Sequence, residues 1–172
     1  MANKKINILF ARQEIAERTK LLGKEISEFY KDKSLTVIVL ANGGIFFAAD
    51  LTREIHTKSC WIDLLALGSY VNDRKSGIPQ FRCPEKLDPA GRHILLVDDV
   101  FDSGESIKVC TEYFRQKGAC SVRCAVLADK AVPGRAAKPD WSCFEVPDAY
   151  LIGCGMDSNE EYRNMDCIAF ID

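Results

Sequence analysis

The sequence predicts an α/β fold: a doubly wound, mainly parallel sheet flanked by helices, with a small C-terminal cap of short strands and loops. Aliphatic runs alternate with amphipathic segments through about residue 128, which is typical of successive strand–helix units. The four aliphatic residues at 94–97 are typical of a central strand buried on both faces. After residue 129, prolines and glycines divide the chain into short extended pieces, which indicates the cap.

The first half of the chain is predicted to begin with a short strand at 6–10 and a helix over 12–31, whose apolar residues share one face. A β-branched run at 35–41 predicts the next strand. The Asn-Gly-Gly turn at 42–44 interrupts that run, and a helix is predicted to continue over 45–55.

The middle of the chain continues the alternation. A third strand is predicted at 60–67, and the Gly, Pro and charged residues of 71–80 favour a mobile loop or an irregular hairpin. The central strand at 94–97 leads to a helix over 107–116, and a further strand follows at 121–128.

The last third lacks this regularity. Its pieces include a predicted helical turn at 159–164 and a short final strand at 167–171. A chain of 172 residues predicts one domain, with 6–130 as its core and 131–172 as its cap, with or without the N-terminal strand.

Charge and hydropathy exclude several classes of partner. The net charge of −2 and the pI near 5.8 provide no general attraction to nucleic acid or anionic membranes. No apolar run approaches the roughly 18 residues of a membrane-spanning helix, and the apolar stretch near the N-terminus is too short for a signal sequence. We therefore expect a cytoplasmic protein without a nucleic-acid or membrane partner.

Cysteine usage agrees with a reducing compartment. The eight cysteines lie mostly in apolar segments without a Cys-x-x-Cys pair, and the chain has only two histidines. This pattern predicts buried free thiols rather than disulfides or a zinc site.

The chemistry-bearing residues directly follow the central strand. Asp98 and Asp99 end it, and the small-residue turn at 102–106 opens the next helix. Ligands bind at the carboxyl ends of such strands, helix N-termini suit phosphate, and carboxylates suit ribose hydroxyls or Mg²⁺. The sequence thus predicts a sugar-phosphate site; the alternative is that one carboxylate caps the helix and the other is solvated.

Two further features point to the same edge of the sheet. The glycines of the 42–44 turn permit close approach of a ligand, although a plain strand-to-helix turn would explain them equally well. Lys130 ends a strand next to the central one, so its ammonium can reach the same site, whereas a lysine there is otherwise merely solvated. No Walker A motif and no convincing dinucleotide-binding turn are present in the sequence.

Taken together, these motifs resemble the type I phosphoribosyltransferases, specifically the hypoxanthine-guanine (6-oxopurine) branch, from residue 35 to residue 171. The run from Asp98 to Ser106 is similar to the family's motif for phosphoribosyl diphosphate (PRPP). The segments that resemble the purine branch are 43–50, 69–70, 138–140, 144–150, 153–157 and 161–164.

The resemblance implies roles for the PRPP-binding residues. Asp98 and Asp99 would hold the ribose hydroxyls directly or through Mg²⁺, and the Ala41–Asn42 peptide would be cis. The residues implied for the 5′-phosphate are Ser103, Gly104, Glu105 and Ser106, and those for pyrophosphate are Asn42, Gly43 and Arg163. Many family members carry Lys where this chain has Asn42, and the Glu105 side chain is expected to point away from the phosphate.

The resemblance also implies the purine-binding residues. Lys130 would donate to the 6-oxo group, Tyr150 would stack on the ring, the Leu151 backbone would bind its edge, and Met156 would lie beside it. Tyr150 is otherwise a packing residue.

Three further roles follow from the same resemblance. Asp157 would bind a second Mg²⁺, and Ser69 and Tyr70 would lie on a loop that closes over the site.

The implied reaction is purine salvage: the phosphoribosyl group passes from PRPP to N9 of hypoxanthine or guanine, and IMP or GMP and pyrophosphate are formed. Asp102 is the candidate base, with a simple N-cap as its alternative role. Alternative functions are a regulatory protein of the same fold that senses PRPP or nucleotide, and an enzyme that uses xanthine or another base. The family resemblance also implies a homo-oligomer, a dimer or a tetramer.

Overall fold

The computed structural model describes residues 5–71, 74–82, 87–130, 132 and 138–171, with the side chains of 67–71 and 74–82 outside that description. The elements, in chain order, are β1 (Ile6–Phe10), α1 (Arg12–Phe29), β2 (Ser34–Ala41), α2 (Ile45–Glu54), β3 (Ser59–Val71), β4 (Arg74–Arg82), β5 (His93–Phe101), α3 (Glu105–Gln116), β6 (Ser121–Lys130), β7 (Trp141–Val146), β8 (Leu151–Ile152) and β9 (Ile168–Ile171). No helix in these ranges is long and apolar enough to cross a bilayer.

The main sheet has six strands in the order β4-β3-β2-β5-β6-β7. β2 pairs in parallel with β3 and β5, and β6 pairs in parallel with β5 and β7, while β4 runs antiparallel to β3. The predicted mainly parallel α/β sheet is therefore confirmed, with β2 and β5 at its centre.

Side chains of β5 alternate between the two layers that cover the sheet. Leu95 and Val97 pack in the core formed with α1 and α2, whereas Ile94 and Leu96 pack in the core formed with α3. All four side chains are fully buried, which confirms the prediction of a central strand covered on both faces.

The cap contains a three-stranded antiparallel sheet in the order β1-β9-β8, so the N-terminal strand belongs to it. The predicted start of the cap at residue 131 needs correction, because β7 pairs in parallel with β6 and extends the main sheet. β7 is a six-residue edge strand between Pro139 and Pro147, and so short a run does not reveal from sequence which sheet it joins.

Two loop predictions have different outcomes. β3 and β4 form an antiparallel hairpin with a register shift between Gly68 and Tyr70, so the irregular hairpin is the correct alternative for 71–80, of which 72 and 73 lie outside the described residues. The predicted helical turn at 159–164 is wrong. Asn159, Glu160 and Tyr162 have φ of 54°, 65° and 75°, and a right-handed helix requires negative φ.

The seven described cysteines are free, as predicted; Cys83 lies outside the described residues. Those that are buried are Cys110, Cys124, Cys143 and Cys167, and Cys154 is half-buried. The prediction of burial is wrong for Cys60 and Cys120, which are exposed. Cys60 lies on β3, most of whose described residues are exposed, and Cys120 lies in the turn before β6.

Candidate active site

The candidate site lies at the carboxyl edge of the main sheet, where the parallel strands β2, β5 and β6 end side by side. Phe101, the last residue of β5, pairs with Asp129, the penultimate residue of β6. The turns after β2 and β5 and the side chain of Lys130 therefore reach the same edge. In open α/β sheets this edge is where ligands bind.

The turn between β5 and α3, residues 102–106, forms a tight loop that we call the phosphate loop after the role predicted for it. Gly104 precedes the first helical residue and has φ of 79°, a left-handed conformation that glycine adopts readily. A side chain at Gly104 would collide with the ring of Phe101, which is buried beneath the loop. The loop and the end of β5 enclose a cavity of about 240 Å³, lined by residues 98–107. The start of α3 faces this cavity with the positive end of its dipole, so an anion is favoured there.

The two carboxylates at the end of β5 are hydrogen-bonded to the local backbone. The Asp99 amide donates to Asp98 Oδ1 at 3.0 Å, and the Val100 amide donates to Asp99 Oδ1 at 2.8 Å. Burial raises the pKa of the Asp98 carboxyl well above its usual range, and the neighbouring charge of Asp99 raises it further. Burial also raises the pKa of Asp99, while Arg163 acts in the opposite direction. The pair is poorly hydrated and would be stabilised by a bound cation or by hydroxyl donors.

The carboxylates present fit Mg²⁺ held together with a substrate. In the part of the chain that the structure describes, no three His, Cys, Asp or Glu side chains converge on a metal position. Mg²⁺ commonly takes one or two carboxylates and completes its coordination with water and substrate phosphate oxygens. Asp98, Asp99 and Asp157 supply carboxylates of this kind, so the donor chemistry suits an ion that arrives with a phosphorylated ligand.

Gly43 lies where three segments of the site meet. The Ala41–Asn42 peptide before it is cis, as the resemblance implied. A side chain at Gly43 would meet the carboxylate of Asp99, and a side chain at Gly155 would meet the carbonyl of Gly43. The collision with backbone makes glycine sterically necessary at Gly155, and the turn after β2 packs tightly against both the Asp99 carboxylate and the segment that follows β8.

A second cavity, which we call the purine cavity after the role predicted for its lining residues, adjoins the first. Its volume is about 200 Å³, and its lining residues are Asp99, Val100, Asp102, Lys130, Tyr150, Leu151, Met156 and Asp157. Leu151 and Met156 are buried, whereas Tyr150 is 61% exposed and free to cover a planar ligand. The structure thus brings together all four residues predicted to contact the purine, with the candidate base and two candidate Mg²⁺ ligands, Asp99 and Asp157, beside them.

Lys130 is paired with two carboxylates. Its Nζ donates to Asp102 Oδ2 at 3.1 Å and lies 3.8 Å from Asp148 Oδ1. The Lys130 side chain is only 12% exposed, while the Asp102 and Asp148 side chains are mostly exposed. Sequence reasoning did not single out Asp148, because its place beside Lys130 depends on the pairing of β7 with β6, which the sequence does not reveal.

The Arg163 guanidinium is bound by two carboxylates and one backbone carbonyl of neighbouring residues. Its Nη2 lies 2.8 Å from Asp157 Oδ1 and 3.0 Å from Glu160 Oε2, and its Nη1 donates to the Gly155 carbonyl at 2.8 Å. Glu160 was also missed by sequence reasoning, although a Glu three residues before an Arg is a common spacing for a local ion pair.

For the remaining predicted residues the structure gives only exposure or backbone position. Asn42 and Glu105 are exposed, which agrees with a Glu105 side chain directed to solvent. The backbone of Ser69 and Tyr70 belongs to β3, and their side chains lie outside the described part of the structure. A larger cavity of about 390 Å³ lies between α1 and α2 and contains none of the predicted site residues. The convergence of functional groups, rather than size, therefore identifies the site.

Comparison with known proteins agrees with this site. Residues 6–160 match the phosphoribosyl transferase domain family. The chain is 35% identical over 168 residues to a hypoxanthine-guanine phosphoribosyltransferase of Bacillus subtilis and 32% identical over 167 residues to one of Streptococcus pneumoniae, each match covering 95% of this chain and 92% of the relative. A crystal structure of a hypoxanthine-guanine phosphoribosyltransferase from Bacillus anthracis is similar with a TM-score of 0.86 and 26% identity, over 99% of both chains. The chain therefore belongs to the phosphoribosyl transferase domain family, in the branch of the hypoxanthine-guanine phosphoribosyltransferases.

Proposed function

We propose that this protein transfers the 5-phosphoribosyl group of PRPP to N9 of hypoxanthine, guanine or both, forming IMP or GMP and pyrophosphate in purine salvage. The observation that carries the proposal is that the phosphate-loop cavity and the purine cavity share Asp99, Val100 and Asp102 in their walls. A nucleotide has a phosphate at one end and a planar ring at the other, so it fits across two adjoining cavities of these chemistries.

The PRPP end is bound by groups of the phosphate loop and the neighbouring turn. Backbone amides and hydroxyls of Ser103, Gly104, Glu105 and Ser106 bind the 5′-phosphate at the start of α3. Asp98 and Asp99 accept hydrogen bonds from the ribose hydroxyls or bind Mg²⁺ between themselves and the ribose. Asn42 and Gly43 face the pyrophosphate.

The purine is bound by the second cavity. Lys130 donates to the 6-oxo oxygen, Tyr150 stacks on the ring, and the backbone of Leu151 binds the ring edge. Met156 is buried beside the ring position and limits the space for it. A ring that carried an amino group in place of the 6-oxo group would present a donor to the Lys130 ammonium, so 6-oxopurines are preferred over adenine.

The bond changes involve N9 and N7 of the purine, C1′ and the leaving oxygen of PRPP, and one oxygen of Asp102. The N9 electron pair forms a bond to C1′ while the C1′–O bond to pyrophosphate breaks, and that bonding pair leaves with pyrophosphate. Asp102 accepts the N7 proton of the purine, which makes the ring a better nucleophile. Mg²⁺ ligated by Asp157 and by the acidic pair would supply charge compensation for the leaving group.

Arg163 stabilises negative charge on the departing pyrophosphate. Its guanidinium lies against Asp157 and Glu160, so binding of pyrophosphate and Mg²⁺ would replace part of these internal contacts. Asp157 and Glu160 therefore position the Arg163 side chain before substrate binds, and pyrophosphate then replaces part of these contacts.

Oligomeric state and location are also proposed. Strand β3 exposes Trp61, Ile62 and Leu64 by 54–60%, and a second copy of the chain would cover such a surface. The apolar side chains at the start of α2, Ile45 and Phe46, are exposed as well. This supports a dimer or a higher homo-oligomer. The free cysteines support a reducing, cytoplasmic location.

A turnover assay tests the proposed function. Purified protein with PRPP, Mg²⁺ and a panel of hypoxanthine, guanine, xanthine and adenine is expected to release pyrophosphate only when PRPP and an accepted 6-oxopurine are both present. Absence of turnover with every base would refute the proposal. Binding of PRPP without turnover would favour a regulatory protein, and turnover only with xanthine would reassign the base.

A further inference from the structure

The carboxyl ends of three neighbouring strands bring two carboxylates to one lysine. Asp102 directly follows β5, Lys130 ends β6, and Asp148 lies two residues beyond the end of β7. Lys130 and Val146 are register partners in the parallel pair β6–β7, so Asp148 follows on the same side of the sheet edge. The Ala149 amide donates to the Pro147 carbonyl at 2.8 Å, which holds Asp148 at the centre of a tight three-residue turn.

The Lys130 ammonium contacts both carboxylates at once. Its Nζ lies 3.1 Å from Asp102 Oδ2 and 3.8 Å from Asp148 Oδ1, and its side chain is only 12% exposed. Asp102 lines the purine cavity together with Lys130, whereas Asp148 does not line it. Asp148 therefore contacts Lys130 from outside the substrate space.

In the proposed reaction the Lys130 ammonium turns from Asp102 towards the purine. The Oδ2 oxygen of Asp102 that accepts the Lys130 hydrogen bond is a candidate acceptor for the purine N7 proton, and the two donors compete for it. When a purine enters, the ammonium is needed at the 6-oxo oxygen instead. Asp148 gives the ammonium a carboxylate partner that does not line the purine cavity, so this contact can persist while Lys130 turns towards the purine.

We propose that Asp148 is a positioning residue that keeps the Lys130 ammonium at the 6-oxo position of the purine after Asp102 has exchanged Lys130 for the purine N–H. This inference rests on the proposed function and adds a residue to it. Asp148 contributes no atom to the bond changes; its effect passes entirely through Lys130.

Steady-state kinetics of the purified full-length protein test the role of Asp148. Asp148→Asn is expected to lower kcat/KM for hypoxanthine about three- to fivefold, the size typical of a solvent-exposed ion pair, with KM for PRPP unchanged within twofold. Asp148→Glu retains the carboxylate and is expected to restore most of the loss. The matched control is Glu145→Gln, which removes another exposed carboxylate two residues from the same turn and is expected to match wild type.

A double-mutant cycle separates positioning from a general structural effect. The Kd of IMP is measured for wild type, Asp148→Asn, Lys130→Met and the double variant, so that a loss of turnover in Lys130→Met does not stop the comparison. If Asp148 acts through Lys130, Asp148→Asn weakens IMP binding in the wild-type background and has no effect in Lys130→Met. Equal effects in both backgrounds, or equal kcat/KM for Asp148→Asn and wild type, would overturn the inference while leaving the proposed function intact. A wild-type protein that neither turns over nor binds IMP would overturn both.

Discussion

Arg163 and Asp157 form an ion pair in which Nη2 lies 2.8 Å from Oδ1, so the cation proposed for pyrophosphate neutralises the carboxylate proposed for Mg²⁺. Glu160 joins the same guanidinium at 3.0 Å, and its own amide donates to Asp157 Oδ2 at 2.9 Å. In the absence of substrate, this network neutralises the charges of Arg163 and Asp157. In the proposed complex, pyrophosphate would neutralise Arg163 and Mg²⁺ would neutralise Asp157, so the binding of one ligand favours the binding of the other.

The first prediction concerns Asp102. Asp102→Asn is expected to lower kcat about 10²–10⁴-fold, because an amide cannot accept the purine proton. The KM for PRPP should change little, since Asn remains able to accept the Lys130 hydrogen bond. Turnover close to wild type would remove Asp102 from the base role. Its alternative role as an N-cap is wrong, because Gly104 holds the N-cap position of α3 and no side chain caps that helix.

The phosphate loop offers a pair of matched substitutions. Glu105→Ala is expected to leave the KM for PRPP nearly unchanged, because the side chain is exposed and the loop uses the backbone at this position. Gly104→Ala is expected to raise that KM and to lower stability by about 1–3 kcal/mol, since φ is 79° and the added carbon would meet the Phe101 ring. Kinetics and thermal unfolding of both variants measure these effects. A large rise in KM for Glu105→Ala would show that its carboxylate contributes to the site.

Gly155 is predicted to be more sensitive than a glycine of similar backbone conformation elsewhere. Gly155→Ala combines a φ of 103° with a collision against the Gly43 carbonyl, so it should impair both stability and PRPP binding. The control is Gly91→Ala, at φ of 71° with no atom within 4 Å of the added carbon, which should lose only the backbone contribution of about 1–2 kcal/mol. Equal losses in the two variants would refute the steric role of Gly155.

The raised pKa of the Asp98 carboxyl predicts that removing its charge stabilises the fold, by an amount that depends on pH. A carboxyl whose pKa is higher in the folded state destabilises the fold as pH rises from the unfolded value of about 3.9 through the folded value. In the absence of Mg²⁺, Asp98→Asn should therefore be more stable than wild type at neutral pH and show a smaller difference at pH 4. A gain of about 1 kcal/mol would raise Tm by roughly 2–4 °C.

The same variant should lose ligand stabilisation. PRPP with Mg²⁺ is expected to raise the Tm of the wild type and to raise that of Asp98→Asn much less. Thermal unfolding from pH 4 to pH 8, with and without both ligands, measures the two effects. A Tm difference that does not depend on pH would contradict the assigned cause.

Thiol reactivity provides a test of the fold itself. Burial raises the pKa of Cys124 and Cys154 to about 12 and that of Cys143 to about 11, so these groups remain protonated and unreactive at pH 8. Of the described cysteines, only the exposed Cys60 and Cys120 should be alkylated in the native protein. Cys60 should react more slowly than Cys120, because partial burial raises its pKa. Mass spectrometry of labelled peptides from native and from unfolded protein measures the order in which the cysteines are alkylated.

Agreement between sequence and structure depends on how local each signal is. The burial of β5 on both faces was predictable because an uninterrupted aliphatic run needs no knowledge of its neighbours. The place of β7 was not, since six residues of a strand do not show whether they pair with β6 or with the cap. The positive φ values of Asn159, Glu160 and Tyr162 were not predictable either, because non-glycine residues rarely adopt this conformation and no turn motif in the sequence indicates it.

Short-range sequence signals are sufficient to find the groups available for the reaction. The order of strand, paired carboxylates, small-residue turn and helix is local, so the positions of Asp98, Asp99 and the phosphate loop follow from short-range rules of chain geometry. Which of these groups pair depends on how distant parts of the chain pack together. Lys130 and Asp102 are 28 residues apart, and their contact, like that of Lys130 with Asp148, depends on the register of three parallel strands. Electrostatic partners in a site are set by where strand ends meet in space, which no local pattern encodes.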